Sequence, residues 1–153
     1  MQFNRLRVEA ELILGYIRPR ELALLALESG LDGLHISRLA ASDDPPTAYE
    51  QEVVLPRAML EMDLIAISPR DAAVRMAVYR VRDIIEKELD PLLHTSELEK
   101  LWIASDYSDV LQPVGSLDDD VYLSRAMGEA ETVIRSRVLE VLRQFIDRRW
   151  TSE

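Results

Sequence analysis

The chain is 153 residues long, with 48% hydrophobic and 30% charged residues, no cysteine and a formal net charge of −10. A chain of this length buries roughly two thirds of the surface it exposes when unfolded, so wholesale disorder is excluded and one domain over 1–153 is expected. The lack of cysteine excludes disulfide frameworks, thiolate zinc sites, iron–sulfur clusters and cysteine nucleophiles.

The acidic excess lies in the middle of the chain. Residues 43–131 contain twenty acidic and eight basic side chains, a net charge of −12, whereas residues 1–42 are neutral and residues 132–153 carry +2. Such a charge repels phosphate backbones and anionic lipid headgroups, so we expect no nucleic-acid partner and no membrane partner. A basic protein partner is compatible with this charge, and so is a surface whose acids only maintain solubility.

The chain lacks the apolar segments that direct proteins to membranes. No apolar run approaches the ~20 residues of a membrane span, and residues 1–7 mix charged and apolar side chains where a secretory signal has an apolar core. Together with the lack of cysteine, this pattern predicts a cytoplasmic protein.

Helical periodicity and helix-boundary signals run through the whole sequence. The N-terminal part predicts helices over about 4–17, 19–30 and 34–41, with proline in the first turn of the second helix and glycine at its end. Two consecutive prolines predict a loop over 42–46.

Three further helix starts follow this loop. Thr47 with Glu50, and Ser96 with Glu99, match the capping-box pattern, and Ser68 precedes a proline in the position of a helix cap. The helices expected from these signals, with an interruption at a proline near position 56, cover about 47–55, 57–64, 69–88 and 96–105.

The last segment is predicted as one long helix. After a loop over about 106–115, an apolar stripe at spacings of three and four residues runs from Leu123 to Phe145 and predicts a helix over about 117–149. At 1.5 Å per residue this helix would be ~50 Å long, more than the ~35–40 Å diameter of a compact domain of this size. Either Gly128 bends the helix, or one end projects and packs on a second copy of the chain.

These elements predict an all-α fold, a single-domain bundle of about six to seven helices with a long C-terminal helix. The loop over 42–46 could divide the chain into sub-layers over 1–42 and 47–153. The first sub-layer has too few residues for a comfortable core of its own, so a single domain is expected.

The sequence contains few of the patterns that catalysis or cofactor binding needs. The two histidines, His35 and His94, have no partner at metal-ligand spacing, and both are expected to be structural. No glycine-rich phosphate loop and no GxSxG motif occur, so we expect no cofactor and favour a protein without catalytic activity.

One group of acids is dense enough to be a candidate metal site. Within residues 106–120 the chain carries five aspartates, which are Asp106, Asp109, Asp118, Asp119 and Asp120. Carboxylate oxygens bind Mg²⁺ or Ca²⁺, although the order of these residues does not match an EF-hand loop. The helix dipole also favours acids at a helix start. Three interpretations of these aspartates are therefore possible. They are a capped, solvated helix start, a loop that contacts a basic partner, and a cation site.

Two sets of residues are candidates for interactions. Asp118, Asp119 and Asp120 would form an acidic contact surface, and the apolar stripe of the long helix includes Met127, Ile134, Val138 and Phe145. The stripe predicts a homodimer through the C-terminal helix, because a projecting helix would expose its apolar face.

The N-terminal part also carries a family resemblance. The run Pro19-Arg-Glu-Leu-Ala-Leu-Leu-Ala-Leu-Glu-Ser-Gly-Leu-Asp32 continues through residues 37–40 to Pro45-Pro46-Thr47. It resembles the N-terminal part of small, uncharacterised, all-helical bacterial proteins. The resemblance implies a buried leucine face that stops at a glycine, brings no catalytic residues, and points to accessory or immunity-type proteins.

Two functions follow from these observations. The first is a non-catalytic, all-α interaction protein whose acidic segment binds a basic protein partner, as an immunity or antitoxin-like inhibitor or an adaptor does. The second is a metal-dependent hydrolase or small-molecule-binding protein with a carboxylate site around Asp106 to Asp120.

Overall fold

The structure, a computed structural model, describes the backbone of residues 3–150 and the side chains of residues 3–148. All regular elements of these residues are helical, so the all-α class is confirmed. The chain forms two compact units, Met1–Ala72 and Ala73–Glu153, which we call the N-terminal unit and the C-terminal unit.

The N-terminal unit is built from short helices. These are α1 (Arg5–Leu14), α2 (Pro19–Glu28), α3 (Leu34–Ala40), a π-helical segment (Glu50–Val54) and α4 (Leu55–Glu61). The side chain of Asn4 caps α1 by accepting a hydrogen bond from the backbone N–H of Arg7 at 3.1 Å. Gly30 has φ +88°, the left-handed conformation that ends a helix, which confirms the predicted stop after α2.

The core of the N-terminal unit involves α2, α3 and α4, and it is apolar. Its side chains with no exposed surface are Leu22, Ala23, Ala26, Ile36, Leu39 and Ala58. Their spacings of three and four residues within each helix place them on one face, so the amphipathic pattern of the sequence accounts for this core.

A carboxylate from α4 caps the start of α3. Glu61 Oε1 accepts hydrogen bonds from the backbone N–H groups of His35 and Ile36, each at 2.9 Å, and Glu61 Oε2 lies 3.0 Å from His35 Nδ1. These bonds satisfy donors that a helix start leaves without intrahelical partners. A Cβ atom at Gly33 would lie less than 3.0 Å from Glu61 Oε1, so a larger residue at this position would require the Glu61 side chain to move away from the start of α3.

The C-terminal unit contains most of α5 and the elements that follow it. They are α5 (Pro69–Glu86), a 3₁₀ turn (Pro91–Leu93), α6 (Thr95–Ala104), α7 (Gln112–Gly115), α8 (Leu117–Ala126) and α9 (Glu131–Trp150). Helix α6 packs against α7 and α8, and α9 packs against α7, α8 and the 3₁₀ turn. Side chains with at most 2% exposure include Leu98, Leu101, Leu111, Val114, Ile134 and Leu142.

The prediction of one continuous helix over 117–149 is wrong. The chain forms α8 and α9 instead, separated by residues 127–130, and Gly128 lies in this break with φ +80°. A residue at positive φ does not continue a right-handed helix, and glycine adopts this conformation without a Cβ clash. Of the two possibilities that the length of the segment raised, the structure contains the interruption at Gly128.

Two of the predicted helix caps are confirmed. Thr47 Oγ1 accepts a hydrogen bond from the backbone N–H of Glu50 at 3.2 Å, and Ser68 Oγ accepts one from the backbone N–H of Asp71 at 3.1 Å. Each bond satisfies one free donor in the first turn of the segment that follows, as the sequence signal predicts.

Two other predictions for the C-terminal unit are corrected. Ser96 does not cap a helix, because α6 begins one residue earlier at Thr95, and the His94 carbonyl accepts the first bond of that helix from the Leu98 N–H at 3.2 Å. The loop predicted over 106–115 contains the short α7 at its end.

The division between the two units falls within α5, whereas the sequence places the boundary of its sub-layers at residues 42–47. A single domain over 1–153 stays a prediction, and so does the bundle arrangement. In residues 3–150, no helix combines the length and the apolar character that crossing a lipid bilayer requires.

Candidate protein-binding surface

Three acidic side chains come together where α6 meets the start of α8. They are Glu99 on α6 and Asp118 and Asp119 in the first turn of α8, and we call them the acidic cluster. The hydroxyl of Thr95 donates a hydrogen bond to Asp118 Oδ1 at 2.8 Å, which connects the first turns of the two helices. The positive end of the α8 dipole favours aspartates at this position.

The acidic cluster has an excess of negative charge. The pKa of Glu99 is raised because its carboxyl shares a hydrogen bond with Asp118, because it is partly desolvated, and because the charges of Asp118 and Asp119 lie nearby. Among the side chains that the structure describes, no ion pair involves a member of this cluster. A cationic group brought to this place would therefore relieve a repulsion that the chain itself leaves in place.

A groove of about 350 Å³ lies between α8 and α9. Its apolar lining consists of Leu117, Val121 and Leu123 from α8, Met127 directly after α8, and Ile134, Val138 and Val141 from α9. Asp120, which follows the acidic cluster directly in sequence, also lines the groove, together with Ser124 and Arg137. The charges of Arg137 and Asp120 attract each other, and Arg137 also binds Glu129, so the negative charge near the groove comes from Asp120 and the adjoining acidic cluster.

Two apolar side chains of the groove are exposed to solvent. Met127 is 81% exposed and Leu123 is 57% exposed, and their spacing of four residues places them on the same side at the C-terminal end of α8. The neighbouring Tyr122 is also exposed. Single exposed apolar residues are ordinary, but a contiguous group beside a groove is typical of an interaction site.

Charged side chains connect α8 and α9 at their junction. Arg137 on α9 donates hydrogen bonds to Ser124 Oγ and to Glu129 Oε2, each at 2.6 Å, and Arg125 donates one to Glu131 at 2.8 Å. The hydrogen bond from Arg137 lowers the pKa of Glu129. Exposed pairs of this kind contribute little to stability. Their positions on both helices favour a groove that is formed before any partner binds.

No family model, curated protein or solved structure matches the chain. The resemblance of residues 19–47 to small all-helical bacterial proteins therefore stays a prediction. The acidic cluster and the α8–α9 groove are therefore the features of the chain that indicate a function.

The structure does not assemble the five predicted aspartates into one metal site. Asp118, Asp119 and Asp120 lie in the first turn of α8, whereas Asp106 and Asp109 lie between α6 and α7. Within the described part of the chain, no three histidine or carboxylate side chains are placed so that they could hold a metal ion. Asp109 lines a separate depression of about 330 Å³. The hypothesis of a carboxylate-bound cation gains no support from this geometry.

Three of the four residues in the predicted apolar interaction stripe are buried within the chain. Ile134, Val138 and Phe145 are at most 6% exposed, so they belong mainly to the core, and Ile134 and Val138 contribute to the lining of the α8–α9 groove. The physical reason is the break at Gly128, after which α9 packs against α8 instead of extending the same stripe. Of this set only Met127 is exposed, and a homodimer through α9 stays a prediction that would need other residues.

The sequence did not predict that Glu99 belongs to the acidic cluster or that Leu123 lies on the α8–α9 groove. Glu99 matched a capping box with Ser96, and its proximity to Asp118, 19 positions further on, has no local signal. Leu123 matched the apolar stripe, and the exposure of that residue follows from the break at Gly128. Its spacing of four residues from both Asp119 and Met127 is the one signal that could have placed it on this face.

Proposed function

We propose that the protein is a non-catalytic interaction protein of the cytoplasm that binds a basic protein partner through the acidic cluster and the α8–α9 groove. One observation carries the proposal. Asp120 adjoins the acidic cluster and lines the same groove as the exposed Leu123 and Met127. A partner surface with basic residues beside apolar side chains would complement both parts.

The charge of the surface supports fast and selective association. Residues 43–131 carry a net charge of −12, and the acidic cluster lies in this segment without an ion-pair partner among the described side chains. Opposite charges steer the encounter of two proteins and increase its rate, and salt screens this effect. A basic partner is therefore expected to bind more weakly as the salt concentration rises.

The apolar part of the surface would supply much of the affinity. Full burial of a leucine or methionine side chain contributes about 1.5–3 kcal/mol relative to leaving it exposed. Leu123 and Met127 both have such surface to bury. The groove between the two helices provides the concave shape that excludes water from around these side chains.

A protein of this kind acts by covering a surface of its partner, as an inhibitor or an adaptor does. The resemblance of residues 19–47 is to small, uncharacterised, all-helical bacterial proteins, and some proteins of that general kind look like accessory or immunity-type proteins. An immunity or antitoxin-like inhibitor is therefore the more specific form of the proposal. Covering a basic surface, for example one that binds nucleic acid, would block it by competition for the same charges.

The proposal is tested by co-purification of the tagged full chain from the organism that produces it, at low salt, with mass spectrometry of the bound proteins. The wild-type chain is compared with Asp119→Asn/Asp120→Asn. The matched control is Asp32→Asn/Asp43→Asn, which removes the same charge from exposed positions of the N-terminal unit.

We expect the wild-type chain and the control to retain a basic protein in stoichiometric amount. We expect the Asp119→Asn/Asp120→Asn variant to lose it, and a high-salt wash to remove it from the wild-type chain and from the control. A wild-type chain without a partner, or a partner that the Asp119→Asn/Asp120→Asn variant retains in full, would contradict the proposal.

A further inference from the structure

The α8–α9 groove has the form of a site for a third helix. Two helices that pack side by side leave a groove into which the side-chain ridge of another helix fits. Its walls come from α8 and α9, and its rim carries Leu123 and Met127, which lie one turn apart. A helix bound in such a groove inserts side chains spaced three or four residues apart, which is the spacing that this rim presents.

The described part of the chain offers an extended peptide no sheet edge to which it could bind. One common way in which extended segments bind proteins is by adding a strand to the free edge of a sheet, where backbone groups pair. Residues 3–150 contain no strand, so they offer no such edge. A helix satisfies its own backbone hydrogen bonds and needs only side-chain contacts from the groove.

The distance between the charged and the apolar part of the groove determines how far apart the basic and the apolar side chains of a bound helix must be. Asp120 in α8 and Met127, the residue that directly follows α8, are seven residues apart, which corresponds to ~10 Å along the helix axis at 1.5 Å per residue. A partner helix that runs along α8 rises by the same amount per residue. A base opposite Asp119 and Asp120 would therefore be about seven residues from the apolar side chain at Met127.

We propose that the occupant of the α8–α9 groove is an amphipathic, basic α-helix of a protein partner. Its apolar stripe contacts Leu123 and Met127, and a lysine or arginine two turns away contacts Asp119 and Asp120. This inference rests on the proposed function and adds the chemistry of the partner to it. A second copy of the chain is a poorer occupant, because its corresponding surface carries the same negative charges.

The test is a selection of 16-residue peptides from a random display library on the immobilised full-length protein. The affinities of the enriched peptides are then measured by fluorescence anisotropy, for the wild-type chain, Met127→Glu and Asp119→Asn/Asp120→Asn. Leu60→Glu is the matched control for Met127→Glu, since Leu60 is 77% exposed and lies in the N-terminal unit. Circular dichroism of each variant shows that it is folded.

We expect the enriched peptides to share apolar residues at a helical spacing and a base about seven residues away. Their affinity should fall at least about tenfold in Met127→Glu and in the aspartate variant, and less than about twofold in Leu60→Glu, since a central anchor is worth at least ~1.4 kcal/mol. The bound peptides should gain helical circular dichroism.

Three results would overturn the helix inference. They are enriched peptides without helical spacing, enriched peptides that bind Met127→Glu as well as the wild-type chain, and a selection that enriches nothing. Basic peptides without helical spacing that still depend on Asp119 and Asp120 would leave the proposed function intact. Light scattering identifies self-association, and a dimer that Met127→Glu dissociates would show that a second copy occupies the groove.

Discussion

The hydroxyl of Thr95 donates a hydrogen bond to Asp118 at 2.8 Å and so links α6 to the first turn of α8. The same contact region holds Asp118 near Glu99, although both carry negative charge in their ionised forms. An arrangement that maintains such repulsion, with no ion pair to these carboxylates among the described side chains, lowers the stability of the isolated chain. It is the kind of cost that proteins carry at binding sites.

We predict that Glu99→Gln stabilises the protein at pH 7. The pKa of Glu99 is raised in the folded state because of the hydrogen bond and the charge of Asp118, so ionised Glu99 opposes folding. Below the unfolded-state pKa of about 4.3 the group is protonated in both states and costs nothing, and stability is lost as the pH rises through the folded-state value. Thermal melts at pH 3.5 and pH 7 should therefore show a higher Tm for the variant only at pH 7.

The control for this prediction is Glu52→Gln, the same change at an exposed position of the N-terminal unit. If Glu99→Gln lowers the Tm at pH 7, or shifts it equally at both pH values, the repulsion between Glu99 and Asp118 is not present in solution.

A second prediction concerns the cap of α3. Gly33→Ala should destabilise the protein by about 0.5–2 kcal/mol, the range for loss of a helix cap, because the added methyl group displaces Glu61 from the His35 and Ile36 N–H groups. Urea unfolding of Gly33→Ala, Glu61→Ala and the double variant measures the effect. The two losses should not add, since the methyl group has no carboxylate to displace once Glu61 is removed. Fully additive losses would contradict this account.

A third prediction uses the ion pair of Asp90 and Arg135. The hydrogen bond from Arg135, with a further one from the Leu92 N–H, lowers the pKa of Asp90. A lowered pKa contributes stability that is present above the unfolded-state value of about 3.9 and is lost as the pH falls through the folded-state value. Asp90→Asn should therefore lower the Tm at pH 7 and have a smaller effect near pH 2.5.

Because both side chains of this pair are more than a third exposed, its coupling energy should be small. A double-mutant cycle with Arg135→Gln is expected to give only a small coupling energy at pH 7. A loss in Asp90→Asn that persists unchanged at low pH would show that the charge of Asp90 is not its cause.

A fourth prediction addresses the cation hypothesis directly. Since no group of three carboxylates or histidines in the described residues could hold a metal, millimolar Mg²⁺, Mn²⁺ or Ca²⁺ should leave the Tm unchanged. A site at 100-fold saturation would add about 2.7 kcal/mol, which is several degrees in a protein of this size. A rise of that size, abolished by Asp118→Asn/Asp119→Asn, would restore a cation site on α8.

Local sequence signals predicted helix boundaries well, because a cap or a stop depends on residues within one turn. The Thr47 and Ser68 caps and the stop at Gly30 are examples. The continuous helix over 117–149 failed for a different reason. The apolar spacing of three and four residues continues across Gly128, so the periodicity alone does not reveal that the backbone is interrupted there.

The surface itself depends on contacts between residues far apart in sequence. Thr95 and Asp118 are 23 positions apart, and no local pattern predicts that they form a hydrogen bond. The burial of Ile134 and the exposure of Met127 likewise follow from α9 packing against α8. The sequence therefore identified acidic residues of the surface and Met127, but it did not distinguish the buried Phe145 from the exposed Leu123.

The most direct test of the central claim is the affinity of the co-purified basic partner for the full chain at increasing salt concentrations. Titrations compare the wild-type chain with Asp119→Asn/Asp120→Asn. We predict that the wild-type affinity falls steadily as salt rises, and that the variant binds more weakly at low salt with a shallower dependence on salt. Equal affinities for the two chains, or a wild-type affinity that does not change with salt, would contradict binding through the acidic surface of α8.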